Sequence, residues 1–83
     1  MRQLLCSIYD NAVGAYHVPF ACRSKSEAIR TFSDLVQNSE TTINKHPEDY
    51  HLFCLGAFDD NSGQLEPLTT PEKFITGNEC KSV

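Results

Sequence analysis

The stretch KHPEDYHLF, residues 45–53, gathers His46, Glu48, Asp49 and His51 around Pro47. Imidazoles and carboxylates this close in sequence can ligate a divalent cation or serve as an acid/base pair. Zinc proteases place two histidines at i and i+4 on a helix, so that both rings reach one ion. Here the histidines are five positions apart with a proline between them, and no helical geometry enforces convergence. A solvated connecting loop with no bound metal is the expectation.

Other chemistries have less behind them. Asp59, Asp60, Asn61, Gly63 and Glu66 look like half a calcium loop, but the glycine comes at the fifth place and the closing acid arrives too soon. A turn with a glycine exit accounts for them better. Nuclease chemistry needs carboxylates and a lysine converging on a metal. Glu48, Asp59 and Lys45 or Lys73 have the right types, yet no motif fixes them. No phosphate-cradling glycine loop and no nucleophile elbow occurs. Phosphate-cradling and hydrolase readings therefore have no support, and no cofactor is expected. A metal-dependent nuclease accessory using His46, Glu48, Asp49 and His51 is the alternative.

Composition narrows the partners. Eleven acids face seven bases, for a formal net charge of -4. Binding nucleic acid through phosphates draws on clustered Lys and Arg, so this chain would have to gather its few bases on one face. Cys6, Cys22, Cys54 and Cys80 form no CxxC pair, and three of them fall on apolar strand positions, as small buried hydrophobes do. No signal-peptide pattern opens the chain and no apolar run nears membrane-spanning length, so a reduced, cytosolic protein with no membrane partner is expected.

The elements that must position these groups form a ββαββ order. Residues 3–9, QLLCSIY, read as a first strand, with DNAVG as a turn and AYHVPFAC (15–22) as its hairpin partner. Pro19 cannot donate to a ladder, which puts the second strand at an edge or breaks it there. In SKSEAIRTFSDLVQN, Ser24 and Glu27 make a capping box, and Ala28, Ile29, Phe32, Leu35 and Val36 recur at helical spacing. Asn38 is placed to end the helix in the left-handed conformation. Residues 39–50 are a polar connection with one short turn after Pro47. HLFCLGAFD (51–59), apolar on both alternations, reads as a central strand buried on two faces. QLEPL (64–68) closes a second hairpin as a proline-marked edge strand. The fold class is α+β, a small antiparallel sheet of two hairpins under one amphipathic helix. Residues 1–68 make a single domain, and 69–83 a Thr70-capped turn with a loose tail. A chain this short buries only about 60 to 65% of its unfolded surface, so a homodimer would help it.

Aromatic and basic residues interleave around the first hairpin and the helix start. If the chain binds single-stranded DNA, Arg2, Arg23, Lys25 and Arg30 would screen phosphate and Tyr16 would stack on a base. In a small chain such rings more often belong to the core, with Phe20 the strongest core candidate and the tyrosines showing a polar edge.

Three linked runs carry a family resemblance: SIYDNAVGAY with the following PF, then SEAIRTFSDLV, then NKHPEDYHLFCLGAFDDNSGQLE. Together, over residues 4–68, they resemble the small nonstructural protein of the gokushoviruses, single-stranded DNA phages of the microvirus group. The resemblance implies a non-enzymatic phage protein in the host cytoplasm, the counterpart of protein C of the phiX-type phages. That protein moves genome synthesis from double-stranded replication to single-strand production coupled to packaging. The implied partners are the phage replication initiator or procapsid proteins, with single-stranded DNA as a further ligand. His46, Glu48 and Asp49 then become a partner-binding loop. A third possibility is a pure protein adaptor that dimerises by strand addition at the edge beginning at Ala15.

Overall fold

A computed structural model describes residues 1–81. The chain forms β1 (Arg2–Asp10), β2 (Ala15–Tyr16), β3 (Phe20–Cys22), α1 (Lys25–Gln37), α2 (Thr42–Lys45), a 3-10 turn (Pro47–Asp49), β4 (Tyr50–Asp59), β5 (Leu65–Thr76) and α3 (Gly77–Lys81). The expected α+β class holds, as a five-stranded antiparallel sheet in the order β2-β1-β4-β5, with β3 also paired to β1. Pro19 splits the expected second strand into the two short pieces β2 and β3.

Local chemistry explains the turns. After β1, Asp10 Oδ1 accepts the N–H groups of Ala12 and Val13, and Gly14 exits at φ 78°. After β4, Asp59 Oδ1 accepts from Asn61 N, and Gly63 exits at φ 77°. Both are aspartate-organised turns with a left-handed glycine, the conformation that lacks a Cβ penalty.

The helix α1 starts as its sequence dictates. Ser24 Oγ accepts from Glu27 N at 3.2 Å. The second half of the capping box is displaced by one residue, because the Glu27 carboxylate accepts from the N–H and Nε of Arg23. Ala28, Phe32 and Val36 are buried, with Ile29 and Leu35 packed against them. At the other end Asn38 is extended (φ -79°, ψ 109°) and not left-handed, and its N–H donates to the carbonyls of Asp34 and Leu35. The chain leaves in that direction because α2 follows at once, capped by Thr41 and anchored by buried Ile43.

Register divides the sheet into two faces. Cross-strand partners share a face in an antiparallel ladder. Cys6 with Cys54 and Ile8 with Leu52 face α1, and together with Phe32, Val36 and Cys22 they make the core. Ser7 with Phe53, Tyr9 with His51 and Gln3 with Phe58 lie on the opposite, open face. The central position expected for β4 is correct, but only its α1 face is fully buried. Phe53 and Phe58 remain half-exposed because the single helical layer covers one side alone. All four thiols are free and buried, with Cys6 Sγ 3.7 Å from Cys22 Sγ. Burial pushes the Cys6, Cys22 and Cys80 thiols up, which keeps them protonated and inert.

The segment after Leu68 differs from its expected turn and tail. β5 runs on to Thr76, tolerating Pro67 and Pro71 because an edge strand has N–H groups with no neighbour to serve. Four residues, Leu68 to Pro71, arch out opposite Leu55 before pairing resumes at Glu72. Then α3 docks, with Cys80 buried and its carbonyl accepting from Gln37 Nε2. Only Ser82 and Val83 of the expected loose tail lie outside the described residues. Gly77 is pressed against Pro47, where a Cβ would come into hard contact with the Pro47 carbonyl. Gly77→Ala should therefore lower stability by about 1 to 3 kcal/mol, read as a lower urea midpoint. An unchanged midpoint would mean that α3 contributes nothing to the fold.

Candidate functional site

Two surfaces carry the groups singled out by sequence. The first is the loop between α2 and β4. His46, Glu48 and Asp49 place one ligand-capable atom each within 4.8 Å of one another, and His46 Nδ1 stands 4.0 Å from Glu48 Oε1. His46 and Glu48 are exposed and Asp49 half-buried. The mount beneath them is firm. Pro47 is buried against Gly77, Asp49 N donates to the His46 carbonyl, and the Asp49 carbonyl accepts from Asn11 N at 2.8 Å. Tyr50, buried, donates its hydroxyl to Thr42 Oγ1, and Lys81 Nζ donates to the Asn44 carbonyl. A charged tip on so braced a loop loses little conformational entropy when it docks.

His51 does not join this cluster. It belongs to the open face, opposite Tyr9 on one side and Thr76 on the other. Its Nδ1 is buried without a hydrogen-bond partner among the described residues. Desolvation and the nearby Lys73 ammonium lower its pKa, against an opposing pull from Asp49.

That open face is the second surface, and sequence reading gave it only Tyr16. Tyr9, Tyr16 and Phe53 form a ring cluster with centroids 4.8, 5.6 and 6.1 Å apart. Lys73 lies opposite Phe53 on the same face. The strand carboxylates Asp10, Asp59, Glu66 and Glu72 all take register positions on the other face. Strict alternation along β1 and β4 is the signal that could have found this platform, since Tyr9 and Phe53 are out of phase with the core residues.

The cations proposed for DNA are not gathered. Arg2 pairs with Glu66 at 3.2 Å at the far end of the sheet, and Arg23 pairs with Glu27. Lys25 sits over the Phe74 ring, 4.9 Å from its centroid. Arg30 borders a cleft of about 420 Å³ between α1, β5 and α3. Tyr16 is across the sheet from all of α1. No continuous phosphate track joins these five residues.

Comparison with known proteins places the chain. The sequence model of the family described as Phage ORF5 protein matches residues 3–80. The chain belongs to the Phage ORF5 protein family. It is 32% identical over 72 residues to Protein ORF5 of Chlamydia phage 1, covering 82% of this chain and 75% of that one. The gokushovirus resemblance carried by residues 4–68 is thereby upheld, and the family extends past Leu68 through β5 and α3. No solved structure matches the fold. No helix among the described residues is long and apolar enough to cross a membrane.

The His51 geometry has a pH consequence. Its pKa is depressed on folding, so the unfolded imidazole, near 6.5, takes a proton first. Stability should be full above about pH 6.5 and fall as the pH drops from there toward the lower folded value. His51→Gln should flatten that limb of the stability profile measured by denaturant titration, leaving the carboxylate-dependent loss at more acid pH.

Proposed function

We propose that this phage protein is a non-enzymatic factor of viral DNA replication in the host cytoplasm, acting at the passage from double-stranded replication to single-strand synthesis and packaging. It works by contact with the phage replication initiator or a procapsid protein. The observation that carries this reading is the braced loop. Exposed Glu48 and half-buried Asp49 sit on a backbone fixed by Pro47, Gly77, Asn11 and Tyr50, as suits recognition of a basic patch.

Single-stranded DNA is the weaker ligand in this reading. A net charge of -4 and five dispersed candidate residues supply little counterion release, so any binding would rest on ring stacking and would show a shallow salt dependence.

The test is capture from infected cells with tagged protein. Wild type should retain the initiator or a procapsid protein, and Glu48→Lys with Asp49→Lys should weaken retention at least tenfold while the unfolding free energy from urea titration stays within about 0.5 kcal/mol of wild type. Retention unaffected by the charge reversal would remove the loop from the contact.

One observation favours a second reading, a metal-dependent nuclease accessory: His46, Glu48 and Asp49 do converge. That reading expects stoichiometric zinc or manganese after purification and a raised melting temperature on adding either metal. Metal-free protein with no thermal response to the ions would eliminate it.

A further inference from the structure

The open face of the sheet is built to be covered. Leu5, Tyr9, Phe53 and Phe58 are half-exposed there, Tyr16 is 42% exposed and Leu65 63%. In a two-layer fold this face has no second helical layer, while the opposite face holds the whole core. Eleven acids give the chain its charge, yet every carboxylate on a strand is placed on the other face by register.

We propose that a second copy of this chain covers the open face, giving a two-fold dimer with the sheets packed face to face. This surface is separate from the Glu48–Asp49 loop, so the inference stands or falls apart from the proposed partner contact.

Charge and area both point to a second copy. Two chains of the same net charge repel, and a face whose strands carry no carboxylate, with Asp60 beside Gln3 and Asp49 near His51 only at its two ends, leaves a direction in which they can approach. Lys73, which has no ion-pair partner among the described residues, borders the Tyr9–Tyr16–Phe53 cluster. An isologous contact turning about Phe53 brings each Lys73 toward the rings of the other copy. The strand residues paired in the sheet, at about 3.3 Å each on strands about 4.8 Å apart, present on the order of 500 Å² per copy, or about 1,000 Å² in all. That is about the smallest area of a specific interface. Nucleic acid fits less well, since a single lysine on the face makes no phosphate track.

The sheet edges do not compete for this role. β5 carries Pro67 and Pro71, with Glu66 before them and Glu72 and Lys73 after, and the β2/β3 edge is interrupted at Pro19. Prolines and charges at an edge block strand addition.

Sedimentation equilibrium of the full chain across micromolar concentrations is the test. Wild type should approach twice the chain mass, with little change on adding salt. Tyr16→Lys and Leu65→Lys, both at exposed positions, should each raise the dissociation constant at least tenfold while keeping the wild-type circular dichroism. Wild type that stays monomeric throughout overturns the proposal. So does a dimer untouched by both substitutions, which would be held elsewhere. Oligothymidine added in a further arm should leave the dimer intact, and dissociation into protein–DNA complexes would assign the face to nucleic acid instead.

Discussion

The pairing of β1 with β4 is the constraint on which the rest depends. It joins residues 2–10 to residues 50–59 across about forty intervening residues, at a loop-closure entropy of about 3 kcal/mol before any constant term. No local contact offsets that cost. The return comes from burying Cys6, Ile8, Leu52 and Cys54 under Phe32 and Val36, which lie on the helix enclosed by the same loop. Helix and central strands are therefore mutually conditional. The α-amino group of Met1 and its carbonyl, both bound to Asp60, fasten the far end of the ladder.

Register then follows with little freedom. A one-residue slip of β4 would carry Leu52 and Cys54 out of the core and put Phe53 into it, where Phe32 already fills the space. The extra residue Leu55 opposite Leu5–Cys6 marks where the ladder accommodates its twist. Because register is fixed, so is the segregation of charge: Asp10, Asp59, Glu66 and Glu72 share one face, and the Tyr9–Tyr16–Phe53 cluster the other. The acidic loop inherits its orientation from the same source. It enters β4 at Tyr50, whose burial sets where Glu48 and Asp49 emerge.

What the sequence made legible tracks how local each signal was. Ser24 and Glu27 announced the start of α1, Pro19 announced the break between β2 and β3, and the Asp-to-Gly turns at Asp10 and Asp59 announced both hairpins. What escaped was set by long-range packing. Pro71 reads as a strand breaker, yet on an outer edge its missing N–H costs nothing, and Phe74 and Ile75 beyond it gain burial. α3 is too short to declare itself by periodicity and exists through Gly77 against Pro47 and Gln37 against Cys80. At the loop, the residue types were legible but not their convergence, which needed the 3-10 turn. Phe53 and Phe58 read as buried on a second face of β4 yet stay half-exposed, since composition cannot tell that only one alternation of the strand is covered by a helix.

The treatment of edges and face can be read as one choice between modes of association. A small one-sided sheet exposes two hazards: unpaired backbone at its edges and apolar surface on its bare side. Strand addition at an edge leaves a new edge and can continue without limit. Face-to-face contact consumes the surface in a single two-fold event and stops. Pro19, Pro67 and Pro71, together with Glu66, Glu72 and Lys73, guard the edges, whereas Tyr9, Tyr16, Phe53 and Phe58 leave the face adhesive. Prolines at an edge cost no ladder hydrogen bond, and the strand carboxylates, at register positions on the helix side, leave Lys73 as the one charged strand residue beside the rings. Under the proposed face-to-face dimer, the arrangement would thus disfavour the association that propagates and retain the one that closes.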